Sequence, residues 1–173
     1  MGRTLGIMFT ATTYGTWLRG DQRGWVDEGR VLPADPQLQH ADRRRMKHPP
    51  YTFPTDRLTD VGEAIVRALI DRMGITVLAA TVQTWHAHVV TGATSHDMSA
   101  VVKCFKDAAR YQLRPGRPIW ADGYDKRFCF HAESLHGRVG YVERHNLRQG
   151  LAARPNDGIT DIEEYLAQLA PGQ

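Results

Sequence analysis

Residues 60–91 constrain the fold more than any other stretch. In "DVGEAIVRALIDRM" (60–73), Val61, Ala64, Ile65, Ala68, Leu69 and Met73 recur at helical spacing and make one apolar stripe. Asp60 reads as the N-cap, with Glu63 in the capping-box position, and Gly74 as the stop. Two β-type runs follow at once, "ITVLAATVQ" (75–83) and "WHAHVVT" (85–91), and read as a hairpin. "LGIMFTATTY" (5–14) supplies a strand before the helix. A second helix spans 97–113, with Met98, Val101, Val102, Phe105 and Ala109 inward. One or two short strands lie in 118–131, and a third helix, 135–147, can be capped by Ser134. A last short helix starts at Thr160, with Glu163 completing its capping box and Ile162, Tyr165, Leu166 and Leu169 on one face. The order β-α-β-β-α-β-α excludes a doubly wound sheet. It matches an α+β, ferredoxin-like, split βαββαβ plan: an antiparallel sheet with helices on one face, plus a C-terminal helix.

The chain has 173 residues, enough for one core. Residues 1–151 read as one domain and 152–173 as an extension with a short helix. Residues 27–58 are rich in Pro, Asp, Arg and His and read as a long, mostly irregular basic insertion with one short helix. No apolar run approaches a membrane span, and the N-terminus has no h-region, so the expectation is a cytoplasmic protein. Cys104 and Cys129 lack metal or disulfide spacing. Net charge is +3 with a pI near 9.0. The basic residues cluster: Arg43, Arg44, Arg45 and Lys47 in one run, and Lys103, Lys106, Arg110, Arg114 and Arg117 in another. Such runs are solvated faces or polyanion contacts.

The chemistry concentrates in "VQTWHAHVVTG" (82–92). Alternate residues of a strand share a face, so His86 and His88 point one way while Trp85, Ala87 and Val89 point to the core. The face bearing the histidines is then free to be open. Two imidazoles so placed can share a metal ion. In "LHGRVGYVERHNLRQGL" (135–151), Leu135, Val139 and Val142 form the inward stripe, and Tyr141 and His145 sit together four residues apart. Gly137, one turn earlier, leaves room for a bulky partner. Arg138, Arg144 and Arg148 surround the pair with positive charge. His86, His88 and His145 would hold a divalent ion over a phosphate as a Lewis acid, with Tyr141 as the nucleophile. Lys103, Lys106 and Arg110 share one helical face and are candidate DNA contacts. Tyr14, Trp17, Trp25, Trp120 and Tyr124 are candidate stacking platforms, and Trp85 is assigned to the core.

"HAH" followed by "GYVERHNLRQGL" resembles the single-tyrosine HUH transposases, and among them the REP-associated tyrosine transposases. The opening "TTYGTWLRGDQRGWV", the pattern of Phe105, Lys106, Ala109 and Arg110, and "IWADGYDKRF" share the resemblance, which runs over most of residues 5–151. It implies a ferredoxin-like fold, Mg²⁺ or Mn²⁺, and cleavage of single-stranded DNA at or beside hairpins through a 5′-phosphotyrosine. Its ligand pair falls on His86 and His88 and its nucleophile on Tyr141. Tyr14, Trp17 and Arg19 of the opening, with Arg138 and Arg148, join the expected DNA contacts. The family's third ligand, Asn or Gln, follows the tyrosine by four residues; here His145 stands there and Asn146 next, and either can serve, with His145 preferred. Three imidazoles make a softer site, for Mn²⁺ or Zn²⁺. A zinc hydrolase using the three histidines and a non-catalytic hairpin-binding module are the alternatives. Some members of the family act as monomers and others as homodimers.

Overall fold

The computed structural model describes residues 2–170. Along the chain run β1 (Gly6–Thr12), β2 (Trp25–Asp27), β3 (Arg30–Leu32), α1 (Pro36–Arg45), a 3-10 turn (Thr55–Arg57) and α2 (Leu58–Met73). Then come β4 (Val77–Val82), β5 (His86–Gly92), α3 (Met98–Leu113), β6 (Asp125–Cys129), α4 (Ala132–Arg148) and α5 (Ile162–Leu169). The main sheet has the order β4-β5-β1-β6, antiparallel throughout, which is the split βαββαβ arrangement. β2 and β3 form a separate two-stranded ribbon.

Helix ends follow local chemistry. α2 starts ahead of Asp60, because the 3-10 turn leads straight into it. Asp60 therefore sits in the first turn and bonds Arg57 at 3.0 Å instead of capping. Glu63 does not close a capping box; it pairs with Arg67 at 2.7 Å and accepts from the Asp157 amide at 3.0 Å. Gly74 ends the helix at φ 62°, the left-handed conformation glycine tolerates. α4 begins at Ala132, so Ser134 lies inside it and is not its cap. α5 is capped by Asp161, whose carboxylate accepts from the Glu163 and Glu164 amides at 2.8 and 3.3 Å.

The sheet carries helices on both faces. Ile7, Phe9, Ala11, Ala87 and Val89 meet Ile65 and Leu69 of α2 and Val101, Val102 and Phe105 of α3. Met8 and Val90 face the other way, against Leu135, Val139 and Val142 of α4 and Ile162 and Tyr165 of α5. Each fully buried side chain of this size contributes about 1.5–3 kcal/mol. The second face, expected to be open, is thus sealed over much of its length. Residues beyond 151 take part in this: α5 completes the second core, and Asn156 donates to the Thr59 carbonyl at 3.3 Å.

β4 is an edge strand, and its outward carbonyls are covered. Asn146 donates to Ala80 O at 2.9 Å, Gln149 to Val82 O at 3.3 Å, and the Thr160 amide to Val77 O at 2.9 Å. The 27–58 segment is more regular than its composition indicates. It holds the β2–β3 ribbon and α1, a helix with no buried residue. Polar ties fix it: Asp35 caps α1, Arg19 and Asp42 form a two-bond ion pair at 2.6 and 2.8 Å, and the Phe53 amide donates to Thr84 O at 2.7 Å. Phe53 itself is buried in the first core.

Close backbone approach singles out Gly92. A Cβ there would lie 2.7 Å from the Tyr165 ring and hydroxyl. That ring cannot swing aside freely, because its hydroxyl donates to Leu5 O and accepts from the Ala93 amide, both at 2.8 Å. Gly92→Ala is expected to cost about 1–3 kcal/mol in urea denaturation through overpacking. Gly137→Ala, where an added Cβ meets nothing within 4 Å, is expected to be neutral or stabilising by up to about 1 kcal/mol through helix propensity.

Candidate functional site

β5 lies inside the sheet and is buried along its whole length. Its alternation turns His86 and His88 to the α4 side, in register with Thr12 and Thr10 of β1, and His88 also with Thr81 of β4. His86 is 7% exposed and His88 6%. α4 lays Tyr141 and His145 over them on the helix face beside its apolar stripe. The His86 and His88 ring centroids are 4.6 Å apart, and His145 is 5.8 Å from the first and 5.5 Å from the second. Tyr141 lies 4.7 Å from His145 and 5.4 Å from His88. One ring nitrogen from each histidine falls within 4.8 Å of the others.

The hydrogen bonding of these rings is incomplete in a telling way. Thr10 Oγ1 and His88 Nδ1 are 2.7 Å apart. When Nδ1–H donates to that hydroxyl, the lone pair is fixed on Nε2. His86 Nδ1 and His145 Nε2 are buried with no partner among the described residues. Each such atom costs about 1–3 kcal/mol when left unpaired. Burial, then the His145 and Arg23 charges, push His86 down to about 4. Burial, then its two histidine neighbours, push His88 down to about 3. His145 is lowered by burial and then by Arg148 and Arg144. All three rings are therefore neutral near pH 7, the form that coordinates metal. Three neutral imidazoles, two of them with unpartnered nitrogens, fit a divalent metal ion.

On α4 it is His145 whose ring nitrogen comes within reach of the pair. Asn146 points the other way, is 1% exposed, and donates to Ala80 O and Ala153 O, both at 2.9 Å. It ties α4 to the β4 edge and to the chain that follows. Tyr141 is 38% exposed, and the surface one turn before it is open at Gly137. Among the described residues, Arg138, Arg144 and Arg148 form no ion pair with a carboxylate.

Other expected contacts fall elsewhere. Lys103, Lys106 and Arg110 do share a helical side, but α3 packs on the opposite face of the sheet from the histidines. Lys103 and Arg110 flank Asp107 at 2.5 and 3.6 Å. Half-buried Lys106 donates to Ala121 O at 2.9 Å and Gly123 O at 2.7 Å, so it pins a turn. Arg19 is engaged by Asp42, and the Tyr14 hydroxyl accepts from the Lys47 amide at 3.0 Å. Trp120 packs between Phe53 and Phe105, while Trp25 donates to Pro33 O at 3.0 Å. Tyr124 is 37% exposed. Trp85 is not in the core: β5 begins one residue later, and the half-buried indole turns back against His86, Trp17 and Arg23. Sequence reading missed Thr10 and Arg23 as parts of this neighbourhood, and offered Asn146 as a possible ligand rather than as the tie to β4. Only the threonine at alternating position in β1 carried a local signal, as a polar interruption on an apolar strand.

No family model matches the chain, and no curated protein matches it in sequence. Among solved structures, it is similar to a REP-associated tyrosine transposase bound to a REP hairpin, with TM-score 0.49 and 14% identity over 87% of this chain and 72% of that one. It is also similar to a candidate transposase from Deinococcus radiodurans R1, with TM-score 0.41 and 16% identity over 88% of this chain and 95% of that one. No helix among the described residues is long and apolar enough to cross a membrane.

The histidine burial makes metal-free protein acid-sensitive. Folded His86 and His88 bind protons only near pH 4 and 3, whereas the unfolded rings do so near 6.5. The contribution of these two rings to stability is thus constant above about pH 6.5 and falls as pH drops from there toward 3, because the unfolded state takes up the protons. Urea midpoints across that window, compared between the wild type and a His86→Gln, His88→Gln pair, should show the slope flattened in the variant. Asn146→Ala and His145→Ala should part company. The first is expected to cost about 1–3 kcal/mol in denaturation and to leave Mn²⁺ affinity near the wild-type value. The second should weaken Mn²⁺ binding by about tenfold or more in calorimetry, with little loss of stability.

Proposed function

We propose that this chain cleaves and rejoins single-stranded DNA, with Tyr141 as the nucleophile beside a metal held by His86, His88 and His145. The observation that carries this reading is the packing of one half-exposed phenol against two of three neutral imidazoles, with open surface alongside. A divalent ion, when bound, supplies Lewis-acid polarisation of a phosphate oxygen. Thr10 orients His88, and α4 sets the distance between His145 and Tyr141. Arg138, Arg144 and Arg148, on the same helix, draw the DNA backbone to this side of the sheet.

The Tyr141 oxygen attacks phosphorus, forming a phosphotyrosine on the 5′ end of the downstream strand. The P–O3′ bond breaks. The departing 3′-oxygen becomes a hydroxyl, and the phenolic proton exchanges with solvent. The new ester keeps the energy of the bond that broke, so a second 3′-hydroxyl can reverse the step on another strand. That is strand transfer, as in DNA transposition or the processing of repeats. Hairpin-bearing DNA is the substrate that the resemblance to REP-associated tyrosine transposases points to. The three-imidazole donor set also suits a hydrolase in which water attacks and Tyr141 is a bystander.

Tyr141→Phe separates the two. Incubation with Mn²⁺ and a labelled pool of single-stranded hairpins, read on a denaturing gel, is expected to give a covalent adduct for the wild type and none for the variant, which still binds the DNA. Product released at the wild-type rate by Tyr141→Phe, with no adduct from either protein, would establish hydrolysis instead. His88→Ala should lower adduct formation by at least about a hundredfold.

A further inference from the structure

Trp17, Arg23 and Trp85 form a cluster that belongs to neither hydrophobic core. The Arg23 guanidinium carbon lies 4.7 Å from the Trp85 ring centroid and 5.2 Å from that of Trp17, and the two indoles meet edge to face at 5.7 Å. Each member is fixed by hydrogen bonds. Buried Asp21 accepts from Arg23 Nε at 2.7 Å and Nη2 at 2.9 Å, and Thr16 O accepts from Nη2 at 2.8 Å. Trp17 Nε1 donates to Gly24 O at 2.8 Å. The Trp85 carbonyl accepts from the Thr13 amide at 2.8 Å and from its hydroxyl at 3.0 Å.

These bonds hold the 13–24 loop against the start of β5 and preorganise the cluster. Arg23 Nε and Nη2 are engaged by Asp21 and Thr16, so the side chain is poorly placed to fork a phosphate. Its guanidinium lies over both indole rings, and Arg23 and Trp17 keep part of their surface open to solvent. Trp17 is 38% exposed and the Arg23 side chain 43%. Flat, half-exposed aromatic and guanidinium groups are what an unpaired nucleobase stacks on.

Its position relative to the histidines gives it a direction. Ring contacts run in sequence from Tyr141 to His145 and His88, then to His86, then to Trp85 at 4.1 Å and on to Trp17. Tyr141 and the tryptophans thus stand at opposite ends of the imidazole cluster. An in-line displacement places the attacking and leaving oxygens on opposite sides of phosphorus. We infer that Trp17, Arg23 and Trp85 form the subsite for the base on the 5′ side of the cut, on the nucleotide that carries the departing 3′-oxygen. The assignment of a side rests on the strand-transfer reading above; the stacking surface does not.

Two measurements test the two parts. Anisotropy of labelled oligothymidine reports stacking without chemistry. Trp17→Ala is expected to weaken binding about tenfold and Trp17→Phe much less; equal affinity for Trp17→Ala and wild type overturns the subsite. For the side, a hairpin recovered as an adduct is remade with an abasic position directly 5′ or directly 3′ of the cut. The 5′ lesion should slow adduct formation by the wild type about tenfold and have little further effect on Trp17→Ala, while the 3′ lesion affects both proteins alike. A 5′ effect undiminished in Trp17→Ala, or a Trp17 dependence that follows the 3′ lesion, overturns the assignment. If no hairpin gives an adduct, the strand-transfer reading and the leaving-side assignment fall together, and the oligothymidine result alone decides whether the stacking surface stands.

Discussion

The burial of two neutral imidazoles beneath a single helix is the constraint from which the rest of the site follows. β5 is buried on both faces, so His86 and His88 occupy positions that an ordinary inner strand fills with valine or isoleucine. Such a placement is tolerable only when the rings stay uncharged and their nitrogens find partners. α4 meets part of this demand and Thr10 another part. The same helix closes the second core with Leu135, Val139 and Val142, so its register over the sheet is set by packing. His145 and Tyr141 inherit that register. A shift of α4 that moved the phenol would also open the core, so the placement of Tyr141 and His145 is held as firmly as the fold.

Legibility in the sequence followed the range of the interactions. Period-two alternation through His86–Val90 and helical spacing through Leu135–Asn146 are local patterns, and they placed both the histidine pair and the Tyr141–His145 pair on their proper faces. The strand order followed from the element order. Trp85 escaped because alternation holds only while the chain is extended; at 83–85 the backbone turns, and the parity that predicted a core position no longer applies. Lys103, Lys106 and Arg110 were correctly grouped, but which face of the sheet a helix covers is a tertiary fact with no signature in the helix itself. Asn146 makes its decisive bond with a carbonyl 66 residues away, and Thr10 pairs with a ring 78 residues away. Neither partner can be read from its neighbours in sequence.

The charge pattern then sorts itself by what has been neutralised. Arg19 and Lys103 are spread over the surface, yet each lies against an aspartate, so their fields cancel at short range. Arg138, Arg144 and Arg148 lack such partners among the described residues, and all three ride on the helix that carries Tyr141. Their repulsion of positive charge is felt at His145, whose proton affinity Arg148 and Arg144 lower. On the proposed reading, a divalent ion at the three histidines would meet repulsion of the same sign, and stronger for its double charge. A phosphate between the arginines and the imidazoles would relieve it, and the ion would in turn favour the phosphate. By reciprocity the two ligands must raise each other's affinity by equal factors. On the proposed reading, the unpaired arginines would do more than attract a polyanion: they would make a metal ion at the three histidines bind more tightly with DNA present than without it.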